Sequence, residues 1–238
     1  MKKILYLLAL VPACAMAQSA ANKNIDVATV EKLAGSKATL NEALSVLGQA
    51  NSETISPEKA YLEYNTGMAR WNLFFGKDRK LAEVSYASLQ QQPKMLAYQE
   101  VKAAGTLKKR EQVSSKLGMP TKININGNKE EWYYLILNAT EEQSLMIEFD
   151  LAANGAVKRF LFNGRQHQEV VVDPRMTEEL QKGISTADEI QRRLGAPSRI
   201  MLDGDKEQWE YTSSSTRLVV VFDQKATLSD YTYNRRTQ

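Results

Sequence analysis

The chain has few of the residue types that enzymes use for nucleophilic or metal chemistry. Among its 238 residues there is one cysteine, Cys14, and one histidine, His167. A single histidine excludes a histidine-rich zinc site and leaves at most one imidazole base for a Ser-His-Asp arrangement. The sequence also contains no G-x-S-x-G elbow, phosphate loop or dinucleotide fingerprint. We therefore predict a protein without enzymatic activity, cofactor or metal.

Long apolar runs are absent beyond the first residues. Lys2-Lys3 form a charged start, residues 4–11 form an apolar core, and Ala15-Met16-Ala17 matches an A-x-A cleavage site. This pattern predicts a secretory signal peptide at 1–17. No later run reaches the roughly 18 apolar residues of a membrane-spanning helix. We therefore expect a periplasmic protein that is exported by its signal peptide.

Cys14 leaves a second interpretation of the N-terminus open. Cleavage after Ala17 would remove it and leave a mature chain without a thiol, which suits an oxidising compartment. Alternatively, Val11-Pro12-Ala13-Cys14 is similar to a bacterial lipobox, although Pro12 fits that pattern poorly. Cys14 would then be lipidated, and the protein would be an outer-membrane lipoprotein.

Charge of one sign does not dominate the chain. The formal net charge is +3, and removal of Lys2 and Lys3 leaves 29 basic residues against 28 acidic ones. The basic clusters, such as Lys108-Lys109-Arg110 and Arg192-Arg193, are short and separated. Nucleic-acid binders usually concentrate basic residues on one surface, so we predict no nucleic-acid partner.

A segment that occurs three times is the most prominent positive feature. Its second copy has Leu117-Gly118-Met119-Pro120 followed by Trp132 and Tyr134, and its third has Leu194-Gly195-Ala196-Pro197 followed by Trp209 and Tyr211. In both copies the glycine precedes the tryptophan by 14 positions. A weaker first copy contains Leu47-Gly48. A period of 70 to 80 residues predicts small domains rather than solenoid units, which usually span 20 to 50 residues.

Each copy predicts a pair of helices followed by an antiparallel meander. Thr39 with Glu42, and Thr186 with Glu189, form capping boxes that begin the second helix. Glycine after the leucine, then proline, ends it. The strands that follow are joined by loops too short for parallel crossovers. We predict an α+β fold of three tandem repeats, each a helix pair packed on a four-stranded antiparallel sheet, at 18–88 (divergent), 89–165 and 166–238.

This pattern resembles the bacterial SmpA/OmlA (BamE-like) module family, and it is similar in architecture to the tandem repeats of β-lactamase inhibitory protein. The likeness is carried by the Leu-Gly-x-Pro and Trp-x-Tyr motifs of copies two and three, together with Phe149-Asp150 and Phe222-Asp223. Proteins of these kinds act by binding other proteins. The resemblance implies an envelope protein with protein partners and a role in outer-membrane assembly or maintenance. The alternative is an inhibitor of a periplasmic or secreted hydrolase.

The aromatic residues are the candidate contact residues. Trp132 and Tyr134 share one face of a strand because they lie two positions apart, whereas Tyr133 faces the other way. Two alternatives remain open from the sequence: the tryptophans pack in the core, or they form an exposed strip typical of binding hot spots. The candidate protein-binding residues are Trp71, Trp132, Tyr133, Trp209 and Tyr231. The segments in which the copies differ, 138–143 and the connector around His167, are further candidates.

Overall fold

The computed structural model describes residues 25–90, 93–138, 141–164 and 172–235. Within these ranges it contains six helices and thirteen strands. In chain order they are α1 (Val27–Gly35), α2 (Leu40–Leu47), β1 (Ser52–Ile55), β2 (Ala60–Asn65), β3 (Ala69–Phe75), β4 (Leu81–Ser88), β5 (Lys94–Met95), α3 (Tyr98–Gly105), α4 (Arg110–Leu117), β6 (Lys122–Asn126), β7 (Lys129–Asn138), β8 (Glu141–Ala152), β9 (Val157–Asn163), α5 (Pro174–Glu178), α6 (Ala187–Leu194), β10 (Arg199–Asp203), β11 (Lys206–Thr212), β12 (Thr216–Phe222) and β13 (Leu228–Arg235).

All thirteen strands belong to one sheet, so the prediction of three separate four-stranded sheets is wrong. Twelve strands run from β1 to β13 in chain order, antiparallel throughout, and the short β5 pairs in parallel with β7. The sheet continues where the prediction placed boundaries, because β4 pairs with β6 and β9 pairs with β10. These pairings satisfy backbone groups that isolated four-stranded sheets would leave exposed at their edges.

The helices begin at side-chain caps that the sequence supplies. The Thr39 backbone N–H donates to Glu42 Oε2 at 2.7 Å, and the Glu42 N–H donates to Thr39 Oγ1 at 3.3 Å. Thr186 and Glu189 repeat this arrangement in α6. In α4 only half of it exists, since Gln112 Oε1 accepts from the Lys109 N–H at 3.1 Å. Among the helices in the described ranges, none is both long and apolar enough to cross a bilayer.

The three helices α2, α4 and α6 end in the same way. Each is followed by a glycine with positive φ, and the carbonyl of that glycine accepts a hydrogen bond from a tyrosine hydroxyl 16 residues later. The pairs are Tyr64 with Gly48 at 3.0 Å, Tyr134 with Gly118 at 3.0 Å, and Tyr211 with Gly195 at 3.4 Å. The tyrosine therefore ties the end of each helix to the sheet.

One hydrophobic core lies between the helices and a single face of the sheet. Helix residues such as Val30, Val113 and Ile190 belong to the same buried cluster as the strand residues Leu73 and Val220. Along the strands, buried positions alternate with accessible ones, as in β3 and β12, because successive side chains point to opposite faces. The second face carries the accessible set, and we call it the open face.

Candidate protein interface

The open face is long, and its side chains are held in place by hydrogen bonds. Twelve strands at about 4.8 Å spacing span about 50 Å. In the first part of the sheet the Tyr61 hydroxyl lies 2.9 Å from Glu63 Oε2 and 2.8 Å from Asn72 Oδ1. Asn72 Nδ2 donates to Ser85 Oγ at 3.1 Å. Four neighbouring side chains on three strands are thus fixed relative to one another.

Tyr61 and Phe74 form an aromatic pair in this part of the open face. They are cross-strand partners, and their ring centroids lie 5.0 Å apart. Phe74 is 38% exposed although it is a large apolar residue. Neither residue of this pair is among the candidates predicted from the sequence. The dipeptide Phe74-Phe75 could have indicated an exposed aromatic residue, because two consecutive residues in a strand face opposite sides and only one can enter the core.

Tyr133 lies near the middle of the open face. Its hydroxyl donates to Glu131 Oε2 at 2.8 Å, and Lys122 Nζ lies 5.4 Å from its ring centroid. Burial, followed by the hydrogen bond to Glu131, raises the pKa of Tyr133 above its usual value. Burial also favours the neutral form of Glu131, but hydrogen bonds from Lys129 and Tyr133 outweigh it and lower the pKa of Glu131. Tyr133 is therefore a neutral hydrogen-bond donor whose orientation is fixed.

Three carboxylates meet beside Tyr133 on the open face. Oxygen atoms of Glu131, Glu148 and Asp150 lie within 4.8 Å of one another, as a metal site would require. However, Arg159 already pairs with Glu148 at 3.0 Å and with Asp150 at 2.8 Å, and Lys129 pairs with Glu131. Burial and the neighbouring Asp150 charge raise the pKa of Glu148. Two cations of the chain thus occupy this cluster as an ion-pair network.

The last part of the open face combines an ion pair with aliphatic residues. Arg217 Nε and Nη2 donate to the two oxygens of Glu210 at 2.8 and 3.0 Å. This fork-shaped pairing fixes both side chains. Hydrogen bonding to Arg217 lowers the pKa of Glu210. Val219 lies opposite Glu210 on the neighbouring strand and is half-buried.

The three tryptophans proposed as contact residues lie in the core, so the exposed aromatic strip is corrected. Trp71, Trp132 and Trp209 are each at most 2% exposed. Their strands present them to the helices, since they share a face with buried residues such as Tyr64 and Phe149. Trp209 Nε1–H donates to Glu207 at 2.7 Å, and Trp132 donates to Glu130. The buried Glu130 and the half-buried Glu207 thus satisfy the indole N–H groups.

The two candidate tyrosines are separated by the sheet. Tyr133 lies on the open face, whereas Tyr231 pairs with Val220 and packs against the core. Tyr86 of β4 is buried against Trp71 with ring centroids 4.7 Å apart. Cys14, His167 and the predicted signal peptide lie outside the described residues. Most of the segment 138–143 belongs to strands, because β7 extends to Asn138 and β8 begins at Glu141.

A buried carboxylate elsewhere in the fold has the perturbed pKa that often marks catalytic sites. Burial, and then the charge of Glu130, raise the pKa of Glu31 from 4.5 to about 7. Arg110 pairs with both carboxylates, at 2.7 Å to Glu31. The adjoining cavity is about 60 Å³, the volume of about two water molecules. This space is too small for a substrate, so we interpret the triad as structural.

No protein-family model matches this chain, and no curated protein matches it. Two solved structures illustrate a weak likeness. A "putative beta-lactamase inhibitor protein" from Streptococcus mutans has 21% identity and a TM-score of 0.36, and covers 53% of this chain and 82% of its own. A DUF4309 family protein, YjgB, from Bacillus subtilis has 14% identity and a TM-score of 0.22, with coverages of 54% and 78%.

One of these neighbours carries the name of the inhibitor architecture suggested by the sequence. Neither is a SmpA/OmlA module, so the resemblance to that family gains no support from them. Because both TM-scores are low, the function proposed below rests on the residues of this chain.

Proposed function

We propose that this chain is a non-catalytic protein-binding protein whose open face contacts the partner. The observation that carries the proposal is the open face itself, which is about 50 Å long and bears side chains fixed by hydrogen bonds and ion pairs. A stable interface needs about 800 Å² on each partner. A strip of that length and roughly 16 to 20 Å wide supplies this area.

The composition of the open face suits recognition. Tyrosine, phenylalanine and arginine are enriched in the centres of protein interfaces, and here Tyr61, Phe74, Tyr133 and Arg159 are present. Because neighbouring groups already hold Tyr61, Tyr133 and Arg159, a partner would lose little side-chain entropy on binding them. Arg217 compensates Glu210, whereas the cluster around Arg159 has three carboxylates for two cations. Most of the charge on the face is thus compensated within the chain, so we expect shape and aromatic contact to contribute more than charge.

We propose that the protein works in the cell envelope after removal of residues 1–17. Two partner classes are compatible with the open face. One is a component of outer-membrane assembly or maintenance. The other is a periplasmic or secreted hydrolase, which the chain would inhibit. Enzyme–inhibitor complexes typically bury an interface of standard size. The open face of a single chain offers such an area. In the alternative, cleavage falls before Cys14 instead of after Ala17, and lipidation of Cys14 would place the same face at the outer membrane.

The test compares open-face variants with a matched control in crosslinked affinity capture from the envelope fraction. Phe74→Asp and Tyr133→Ala change the open face, whereas Val46→Asp adds a charge on the exposed side of α2, where Val46 is 52% exposed. We expect a defined partner to be enriched by the wild type and by Val46→Asp, and to be at least about tenfold depleted with either open-face variant, as for a hot-spot loss of about 1.4 kcal/mol or more.

The identity and behaviour of the partner distinguish the two classes. A captured hydrolase should be inhibited by the wild type and not by Tyr133→Ala, which supports the inhibitor role. Equal capture by all three variants, with thermal unfolding unchanged, would rule out the open face as the interface.

A further inference from the structure

A depression beside strands β3, β4, β6 and β7 is lined by two exposed methionines. It has a volume of about 250 Å³ and lies where the β2–β3 turn, the residues after α4 and the short β5 come together. Met68 from the turn and Met119 from the segment after α4 line it, and they are 60% and 53% exposed. Tyr86 and Tyr134, which are buried in the core, form part of its wall.

Backbone contacts hold the rim of this depression together. The Leu89 N–H donates to the Met68 carbonyl at 2.8 Å, which places Leu89, 50% exposed, beside Met68. The Ser88 N–H donates to the Thr121 carbonyl at 2.9 Å and joins the two sides. Exposed large apolar residues are normal when they are scattered singly, but a cluster indicates a binding site. Methionine side chains are flexible and polarizable, so they adapt to different apolar groups.

Among the described residues that line the depression, Lys94 is the only lysine, arginine, aspartate or glutamate. It is fixed by β5, which pairs with Ile136 of β7. Within the described part of the chain, no carboxylate lies within 4.0 Å of its ammonium group, in contrast to Lys129 and Lys182. The depression therefore presents one cation beside two methionines and favours a ligand that carries one carboxylate next to an apolar group. The polar residues Ser88, Gln90 and Thr121 complete its wall.

We propose that this depression, the Met68–Met119 pocket, binds the apolar C-terminal residue of a partner polypeptide. The volume of about 250 Å³ is large enough to take a single leucine- or phenylalanine-sized residue. A C-terminal apolar residue is the one part of a polypeptide that carries an apolar side chain and a carboxylate on the same unit. The two methionines contact the side chain, and Lys94 pairs with the terminal carboxylate.

The pocket is specific to the middle of the chain. Gly118-Met119-Pro120 corresponds to Gly195-Ala196-Pro197 in the third copy. The residue equivalent to Met119 is therefore Ala196, which has a methyl group instead of a thioether side chain. Phe74 and Tyr133 do not line the pocket. The inference therefore does not depend on the open face, and variants of one site leave the other intact.

The test uses protein labelled with ¹³C at the methionine methyl groups and three probes: acetyl-Gly-Gly-Phe, the same peptide with a C-terminal amide, and decanoate. We expect the free-acid peptide to shift the Met68 and Met119 signals saturably, with a dissociation constant on the order of 1 mM for a one-residue anchor. The amide should bind at least about fivefold more weakly, since it lacks the charge that pairs with Lys94. Met146 and Met176, which are exposed elsewhere, serve as internal controls.

Three variants complete the test. Lys94→Gln should reduce the affinity for the free acid to that for the amide, and Met119→Ala should weaken binding of both peptides. Phe74→Asp, which changes only the open face, should leave the titration unchanged. Each variant lies at an accessible position, and its thermal unfolding is compared with that of the wild type.

The inference is overturned if no shift occurs up to about 10 mM peptide, well above the expected constant. It also fails if acid and amide bind equally, or if Lys94→Gln has no effect. Binding of decanoate as tight as that of the peptide would assign the pocket to a free carboxylate amphiphile instead. None of these results bears on capture through Phe74 and Tyr133.

Discussion

Arg110 is shared by two carboxylates that come from distant parts of the chain. Glu31 lies on α1 and Glu130 on β7, and both contact the Arg110 guanidinium. Their side chains are 15% and 6% exposed, so water screens them only in part. One guanidinium cannot fully compensate two buried negative charges, since each loses its hydration. The expected result is a carboxyl group that holds its proton at unusually high pH, as the raised pKa of Glu31 indicates.

We expect the free energy of unfolding to fall as pH rises from about 4.5 to about 7. Burial, then the charge of Glu130, raise the folded-state pKa of Glu31 from 4.5 to about 7, and Glu111 adds to this while Arg110 opposes it. Between the two values the folded chain binds more protons than the unfolded chain, so stability decreases with pH. Glu31→Gln removes this titration, and should be more stable than wild type above pH 7 by about 1 to 2 kcal/mol after solvent screening.

Urea unfolding at pH 5, 6, 7 and 8 measures this difference. Glu42→Gln is the matched control. The exposed cap interaction with Thr39 lowers the pKa of Glu42, so Glu42 changes the free energy of unfolding only at lower pH. If Glu31→Gln keeps the wild-type slope between pH 5 and 7, Glu31 does not titrate in that range in the folded protein.

The relative orientation of the aromatic residues in β7 could be predicted from the sequence. Two-residue spacing correctly placed Trp132 and Tyr134 on one face and Tyr133 on the other. It could not decide which face enters the core, because alternation fixes only relative orientation. The size of the indole ring decides between the faces, because burying a tryptophan side chain stabilises the fold more than leaving it exposed. Hydrogen bonds to Glu130 and Glu207 remove the penalty for burying the indole N–H group.

At the level of elements, glycine at the end of three helices has a stricter role than the sequence indicates. The Leu-Gly motif predicts a left-handed residue, which asparagine also adopts. In the structure Gly48, Gly118 and Gly195 have φ of 66° to 80° but ψ of −153° to −165°. This region of the backbone map is open essentially to glycine alone. The chain can therefore pass from helix to strand through only four residues.

We expect Gly195→Ala to destabilise the protein by about 1 to 3 kcal/mol. A Cβ at Gly195 would meet no atom within 4 Å, so the cost comes from the backbone conformation alone. Gly35→Ala is the matched control, since Gly35 also has open space around it but lies in α1 without a positive φ. That change should be neutral or stabilising by up to about 1 kcal/mol.

Urea midpoints at constant m-value measure both glycine changes. A Gly195→Ala protein as stable as Gly35→Ala would mean that the residue after α6 relaxes into an ordinary conformation.

Most other elements follow from local sequence, and the exceptions have a physical cause. Alternation of apolar and polar residues predicts strands at 131–137, 144–149, 208–212 and 217–222, and β7, β8, β11 and β12 extend these ranges by at most three residues at either end. β1 was missed, because Ser52, Glu53, Thr54 and Ile55 are all exposed and show no apolar alternation. It exists through pairing with β2, from Ser52 with Glu63 to Ile55 with Ala60. A strand that is defined by its neighbour rather than by its own burial carries no sequence signal.

For the whole molecule, the continuous sheet is the feature that local patterns could not predict. The recurring helix pairs and meanders specify short-range contacts within each stretch of about 75 residues, whereas the pairs that join them lie far apart in sequence. Val84 is opposite Ile125, and Ile200 is opposite Phe162. Those positions are apolar and compatible with many other partners, so the sequence alone favoured independent units.

The continuous sheet and shared core lead us to expect one cooperative unfolding unit in place of three domains. Leu73 is fully buried in β3, and Leu73→Ala should cost about 2 to 5 kcal/mol. If the chain unfolds as a whole, that loss lowers the free energy of amide exchange equally at Tyr134 in β7 and at Val220 in β12, since the slowest amides exchange through global unfolding. Native-state hydrogen exchange of wild type and variant measures how far the loss of stability extends across the sheet. Unchanged exchange at Val220, with the loss confined to amides before residue 89, would show that the predicted boundaries separate independent folding units despite the pairing of β4 with β6.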